Sequence, residues 1–281
     1  MRLADAANRF NKLVCYDAYS GDPVFRAQLG LYDDTKRDSE VAERRVLSVA
    51  PGTKFPARGV IQAAGRQWIL GHRNTDAFGP NEIRQGVVLH EATTLATVRT
   101  LGQLARNEAG FNAWCGYAWV KDKAFTEQSS KLDPQLHVHF AASEPVAQGL
   151  VVQLGTRYTL ARSTTLGGGG TLVTTVEEMP DPVVETATVS TSDWDKVAGM
   201  FVGGTLTTAR VLRVRWQSLF EYGNVSGPTF GPEDMQLVMA TAAATPRVGS
   251  IVTLSDGAWM IASARAQDDV WLCRATRHAR T

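Results

Sequence analysis

The sequence predicts an all-β chain of three tandem small antiparallel barrel or sandwich modules, and three observations predict it. First, a glycine-containing turn leads into an aromatic residue, with an aliphatic residue two positions later, in three places: GRQWILG at 65–71, GTRYTLA at 155–161 and DGAWMIA at 256–262. Second, each copy follows a proline and then a glycine, Pro56 and Gly59, Pro145 and Gly149, Pro246 and Gly249. Third, strand-like runs flank each copy in the same order. Upstream stand FRAQLGLYDD and RRVLSVA, YAWVKDK and LHVHFAA, VRWQSLFEYG and MQLVMAT; downstream stand GVVLHEAT, TLVTTVEE and VWLCRATR. Self-similarity at a domain-sized period is the signature of tandem modules. The repeated glycines lie 90 and 100 residues apart, which sets that period.

Aligned on the phrase, Trp68, Tyr158 and Trp259 form one column and Leu70, Leu160 and Ile261 a second. Residues at i and i+2 of a strand share a face, so the two columns read as the structural core of each module. Upstream of them, Ile61, Val151 and Ile251 form a third column, and Ala64, Leu154 and Leu254 a fourth. Each module then reads as five short antiparallel strands, a number that closes into a small barrel or packs as a sandwich. The expected modules span 15–95, 112–180 and 205–281. Residues 1–14, with Leu3, Ala6, Ala7, Phe10 and Leu13 at helical spacing, read as a short N-terminal helix or arm. Linkers are expected at 96–111, where a short helix fits, and at 181–204, which proline, threonine and glycine punctuate.

Composition bounds the function. With 44% hydrophobic and 20% charged residues the chain has material for real cores, and a net charge of +1 gives no field that gathers nucleic acid or an anionic membrane. Of the 29 basic residues 22 are arginine, the side chain suited to bidentate ion pairs. Asp5 and Arg9 break the apolar run an export signal needs, so synthesis in the cytoplasm is expected. Cys15, Cys115 and Cys273 are far apart, without a CxxC pair, and read as reduced buried residues.

Searches for chemistry return no catalytic set, no cofactor site and no metal site. His137 and His139 share a strand face, but two ligands fall short of a zinc shell. Gly167–Gly170 lacks the lysine–serine or lysine–threonine pair and the following helix of a phosphate loop, and reads as a flexible loop. The adjacent pairs Asp33–Asp34, Glu177–Glu178 and Asp268–Asp269 read as solvated strand or loop ends. Arg210, Arg213 and Arg215, and Arg274, Arg277 and Arg280, form two mild basic clusters. They are candidates for contacts between subunits, with Phe10 as a docking residue.

The closing stretch VGSIVTLSDGAWMIASARAQDDVWLCRATRH resembles the small head–tail joining proteins of tailed bacteriophages, the connector or stopper family. Members are single β-barrel modules, whereas three stand here in tandem. The resemblance implies a non-enzymatic virion protein of the neck, built in the host cytoplasm. It would form a ring of six or twelve copies that meets portal or adaptor proteins on one side and tail proteins on the other, with no membrane and no sequence-specific nucleic acid. Two alternatives stand beside it: a cytoplasmic multi-module β protein that binds carbohydrate or nucleic acid, and a phage decoration or tail-fibre-associated protein.

Overall fold

The computed structural model describes residues 13–31, 44–50, 52–74, 85–120, 135–167, 169–179, 182–214 and 234–278. Among them the chain forms three closed antiparallel barrels in tandem, each of six strands. Barrel 1 holds β1 (Leu13–Asp17), β2 (Pro23–Leu31), β3 (Arg44–Val49), β4 (Val60–Ala63), β5 (Arg66–Asn74) and β6 (Gln85–Ala92). Barrel 2 holds β7 (Thr94–Arg99), β8 (Phe111–Val120), β9 (Gln135–Ala141), β10 (Val151–Leu154), β11 (Arg157–Leu166) and β12 (Thr171–Met179). Barrel 3 holds β13 (Val183–Asp195), β14 (Met200–Val214), β15 (Met235–Ala240), β16 (Ile251–Leu254), β17 (Gly257–Gln267) and β18 (Val270–Arg277). One helix, α1 (Leu101–Arg106), lies between β7 and β8 in the sequence.

In each barrel three strands run as a meander and the chain then crosses to the far side of the first strand. A second meander follows, whose last strand pairs with the third, giving the order 1-2-3-6-5-4. The expectation of five strands leaves out β1, β7 and β13, and of the run VRWQSLFEYG, expected as a strand of module 3, only Val214 is described, as the end of β14; the rest lies outside the described residues. The segment read as the linker 96–111 holds most of β7 together with α1, and 181–204 holds β13 and the start of β14. Threonine in VVETATVSTSD was read as loop punctuation, yet alternating Val and Thr is what a strand prefers. Leu13 belongs to strand β1, and residues 1–12 of the expected arm lie outside the described residues.

The repeated phrase is the hairpin of the fourth and fifth strands. Its two-residue turns are Ala64–Gly65, Gly155–Thr156 and Ser255–Asp256, fixed by the closing pairs Ala63↔Arg66, Leu154↔Arg157 and Leu254↔Gly257. At the first turn Ala64 and Gly65 both have positive φ, 51° and 75°, the conformation whose twist matches the flanking strands. Registers then set equivalence. Trp68 lies opposite Ile61 and Trp259 opposite Val252, but the matching pair in barrel 2 is Thr159 opposite Val152. Tyr158 is therefore one residue out of the tryptophan column, and its position matches Gln67 and Ala258. Likewise Leu70 and Ile261 match Ala161: the amide of each donates to the residue that starts the fourth strand's approach, Gly59, Ser250 and Leu150. Leu160 falls one residue short, level with Ile69 and Met260. The other two columns slip in the same way. Ile61 matches Val152 and Val252, and Ala63, not Ala64, matches Leu154 and Leu254.

Side chains fill the barrels. In barrel 1 Cys15, Ala27, Leu47, Val49, Ile61, Ala63, Trp68, Leu70, Val87 and Leu89 form one buried cluster. In barrel 3 Val189, Val211, Met235, Leu237, Met239, Val252, Trp259 and Ile261 do the same. A buried indole N–H needs an acceptor. Trp68 donates to the Ala63 carbonyl at 3.1 Å and Trp259 to Asp256 Oδ1 at 3.0 Å. Thr159 in the corresponding place donates its hydroxyl to the Val152 carbonyl at 2.7 Å. Just beyond Leu70 and Ile261 the register of β5 and β17 against their partners shifts, and such bulges bend a strand enough to close a small barrel.

The chain divides into two compact units: Met1–Val98 with Asn112–Glu177, and Arg99–Phe111 with Glu178–Thr281. Barrels 1 and 2 make up the first. Barrel 3 and α1 make up the second. Helix α1 begins with a capping box, Thr100 with Gln103, and ends at Asn107 in the left-handed conformation. It buries Leu104 and Ala105 and packs on β13, β14 and β15.

Candidate functional site

Within the first unit, barrels 1 and 2 meet across a surface built from three kinds of contact. The apolar part joins Val60, Ile69 and Ala92 of barrel 1 to Ala141 of barrel 2, with Ala18, Tyr19 and Trp114 packed against them. Beside it lies a buried carboxylate. Glu144, just past β9, accepts from the Tyr19 hydroxyl at 2.8 Å and from Arg58 Nε and Nη2 at 3.0 and 2.7 Å. The same guanidinium donates to the Asn112 carbonyl at 2.6 Å and lies 3.7 Å from the centre of the Tyr19 ring. Tyr19 in turn accepts the Trp114 amide at 3.0 Å. A buried carboxylate is costly unless its lone pairs are used, and the Glu144 carboxylate is met by the part-exposed Arg58 guanidinium in a bidentate pair and by the Tyr19 hydroxyl. Burial, reinforced by the Glu144 carboxylate, pushes the Tyr19 phenol well above the usual range, so it stays protonated as a donor.

The third contact is a glycine interlock. Gly169 O accepts the His72 amide at 3.0 Å and lies 3.3 Å from His90 Nε2. A Cβ on Gly169 would stand 2.7 Å from His90 Nε2, and one on Gly170 would run into the backbone of Gly71 and His72. Gly169 and Gly170, from the four-glycine run expected to be a flexible loop, are thus where barrel 2 approaches barrel 1 backbone to backbone. His90 and His139, both buried, lie near-parallel with ring centres 6.5 Å apart. His137 is part-exposed, and among the described residues no group of three His, Cys, Asp or Glu is placed to hold a metal ion.

In the second unit a polar cluster closes one end of barrel 3. Arg213 pairs with Asp256 at 2.8 Å and Glu185 at 3.4 Å, and Glu185 accepts the Ser255 amide at 2.8 Å. The tryptophan of the core reaches this cluster through Asp256. Arg210 donates to the Arg106 carbonyl at the end of α1, and Arg274 pairs with Asp234 at 2.8 Å. Three of the arginines expected at a subunit contact are thus spent within the chain. Arg277 is exposed at the end of β18, and Phe10, Arg215 and Arg280 lie outside the described residues. Of the core expectations, Trp68, Leu70, Leu160, Trp259 and Ile261 are buried, while Tyr158 is part-exposed on the opposite face from Thr159. Two of the acidic residues read as solvated are paired: Glu177 accepts from Arg162 at 2.6 Å, and Asp269 lies 3.3 Å from Arg106.

The three thiols are buried, and desolvation pushes Cys15, Cys115 and Cys273 up to about 12. They are packing residues, not nucleophiles. Tyr19, Arg58, Glu144 and the interlocking glycines were not singled out as a site from the sequence. Tyr19 and Glu144 are 125 residues apart, and no spacing rule joins them. Comparison with protein-family models, with curated proteins and with solved structures finds no match.

Proposed function

We propose that this chain is a structural virion protein of a tailed bacteriophage, a ring-forming connector or collar component of the head–tail neck, made in the host cytoplasm. One observation carries the reading beyond the resemblance. The barrels of known interior are filled, so binding falls to their surfaces, and barrel 3 extends a two-stranded arm past its own wall with apolar residues in solvent. A body of rigid barrels with a projecting arm suits a protein that joins others. Six or twelve copies related by rotation would use a heterologous contact, one surface of each subunit against a different surface of the next, and portal or adaptor and tail proteins would bind the two faces of the ring.

The rival reading, a carbohydrate- or nucleic-acid-binding protein, has the exposed Tyr117 and Trp119 in its favour. Single-stranded nucleic acid sites set such aromatics among basic residues, and β8 and β9 carry neither lysine nor arginine. The test is loss of the gene in the phage that encodes it. The expected lysate contains filled heads and finished tails that remain apart and join when the purified protein is added. Joined particles, or particles defective only in adsorption, would reject the neck assignment.

A further inference from the structure

The three barrels differ most in the connection between their first and second strands. Barrel 1 spends five residues there, 18–22, and barrel 2 spends 100–110 on α1. In barrel 3 the strands themselves run on. The pairing of β13 with β16 ends at Ser190↔Ile251, and that of β14 with β15 begins at Val211↔Met239. Between those points β13 and β14 pair with each other, out to Asp195↔Met200. At ~3.4 Å per residue this arm reaches about 17 Å past its last β16 partner. Side chains help to hold the ribbon: the Thr191 hydroxyl donates to the Thr205 carbonyl at 3.1 Å and the Thr207 hydroxyl to the Val189 carbonyl at 3.4 Å.

Alternate residues of a strand turn their N–H and C=O to opposite sides, so each strand of the arm keeps an open row of backbone groups. On β13 the row spans 191–195 and on β14 it spans 200–209, and among the described residues no third strand pairs with either. Such a row specifies its partner's chemistry, another extended strand that completes the ladder. Proteins that must stay apart block an open edge with charge or proline. Residues 204–209, GTLTTA, carry neither, and Leu206 among them is 69% exposed.

The arm has two open rows, on opposite sides, and one foreign strand would cover only one of them. Copies of the arm set side by side cover both. The β13 of the next copy then lies beside β14 of the first, and it runs antiparallel to it because the two strands of every arm run in opposite directions. Pairing β14 with β14 would leave both β13 rows open. We propose that the open edge of β14, 200–209, pairs antiparallel with the open edge of β13, 191–195, in a second copy of this chain, so that successive arms build one continuous sheet. The contact is heterologous, and repetition by rotation closes it. Met200, 57% exposed, and Leu206 gain cross-strand neighbours there. The contact deepens the ring reading and rests on it only for the number of copies: arms can pair in a protein absent from the neck, and a ring can close through barrel surfaces with its arms apart.

Two measurements on the full chain test this. In the first, residues 191–205 are replaced by an Asn-Gly turn between the paired Ser190 and Leu206, and a cooperative thermal melt confirms that the variant is folded. Native mass spectrometry across a concentration series should show the wild type associating beyond the dimer and the armless variant remaining a monomer. The second leaves the sequence untouched. Residue-resolved amide exchange of the wild type, compared at the two ends of the series, should slow on association at alternate residues of 191–195 and 204–209. A wild type that is monomeric at every concentration, an armless variant that associates as the wild type does, or arm amides that exchange equally fast in the associated and dilute protein would each overturn the proposal.

Discussion

Tyr19 of barrel 1 donates its hydroxyl to Glu144 of barrel 2 at 2.8 Å, and the same oxygen accepts the Trp114 amide. Tyr19→Phe therefore removes a donor and an acceptor at once and should cost the first unit about 1–2 kcal/mol. Arg58→Ala leaves the buried Glu144 carboxylate with one donor fewer on each oxygen. Because the arginine is part-exposed, the loss should be about 2–3 kcal/mol, below the range for a fully buried pair. Hydrogen exchange in β4, β5 and β9 against denaturant reads the first unit separately, and β15 and β18 should be unchanged.

The glycine interlock predicts a steric effect. In Gly169→Ala the added methyl would stand 2.7 Å from His90 Nε2, and Gly170→Ala adds a strained φ of +76° to a backbone collision. Both should lower the melting temperature of the first unit. Gly30→Ala, where a Cβ meets only the Val46 carbonyl at an ordinary 3.7 Å, is the control, and it should cost no more than a surface substitution.

Register, not residue type, decides what the repeated aromatics are worth. Trp68→Ala and Trp259→Ala each leave a cavity in a small core and should cost about 3–5 kcal/mol. Tyr158→Ala should cost less than about 1 kcal/mol, because Thr159 occupies the matching inward position. Equal losses for Tyr158 and Trp259, measured by denaturant melts, would return Tyr158 to the core column.

The buried thiols give a pH dependence with a definite sign. Each is raised from 9.0 to about 12 in the folded chain, so the folded state holds protons that the unfolded state has released between those values. Stability contributed by the neutral thiols is complete below pH 9 and falls as pH rises towards 12, and the raised Tyr19 phenol acts in the same direction above pH 10. Alkaline melts should show this decline. At neutral pH iodoacetamide should label none of the three thiols until denaturant unfolds the chain.

Much of the fold was legible in the sequence because turns and alternation are local. The β16–β17 hairpin follows from the Ser255–Asp256 turn and the apolar residues around it. The first strand of each barrel was lost for a physical reason. β7 flows out of β6 with one residue between, and the β13 run of Val and Thr lacks large apolar residues up to Trp194. The column of Tyr158 was one residue out because aromatic identity outweighed turn length in the alignment, whereas pairing is fixed by the turn. The Glu144 network and the fit of Gly169 against His90 join residues of different barrels, so neither periodicity nor spacing marks them. The arginines of β14 and β18, expected from the sequence as candidates for contacts between subunits, have partners within the chain that their spacing does not mark: Arg213 turns to Asp256 and Arg274 to Asp234.

Cryogenic electron imaging of intact virions tests the central claim most directly. The account predicts a closed ring of six or twelve copies between head and tail, each subunit fitted by the three barrels. Absence of the protein from the neck, or its presence only as scattered single copies on the capsid or fibres, would contradict it.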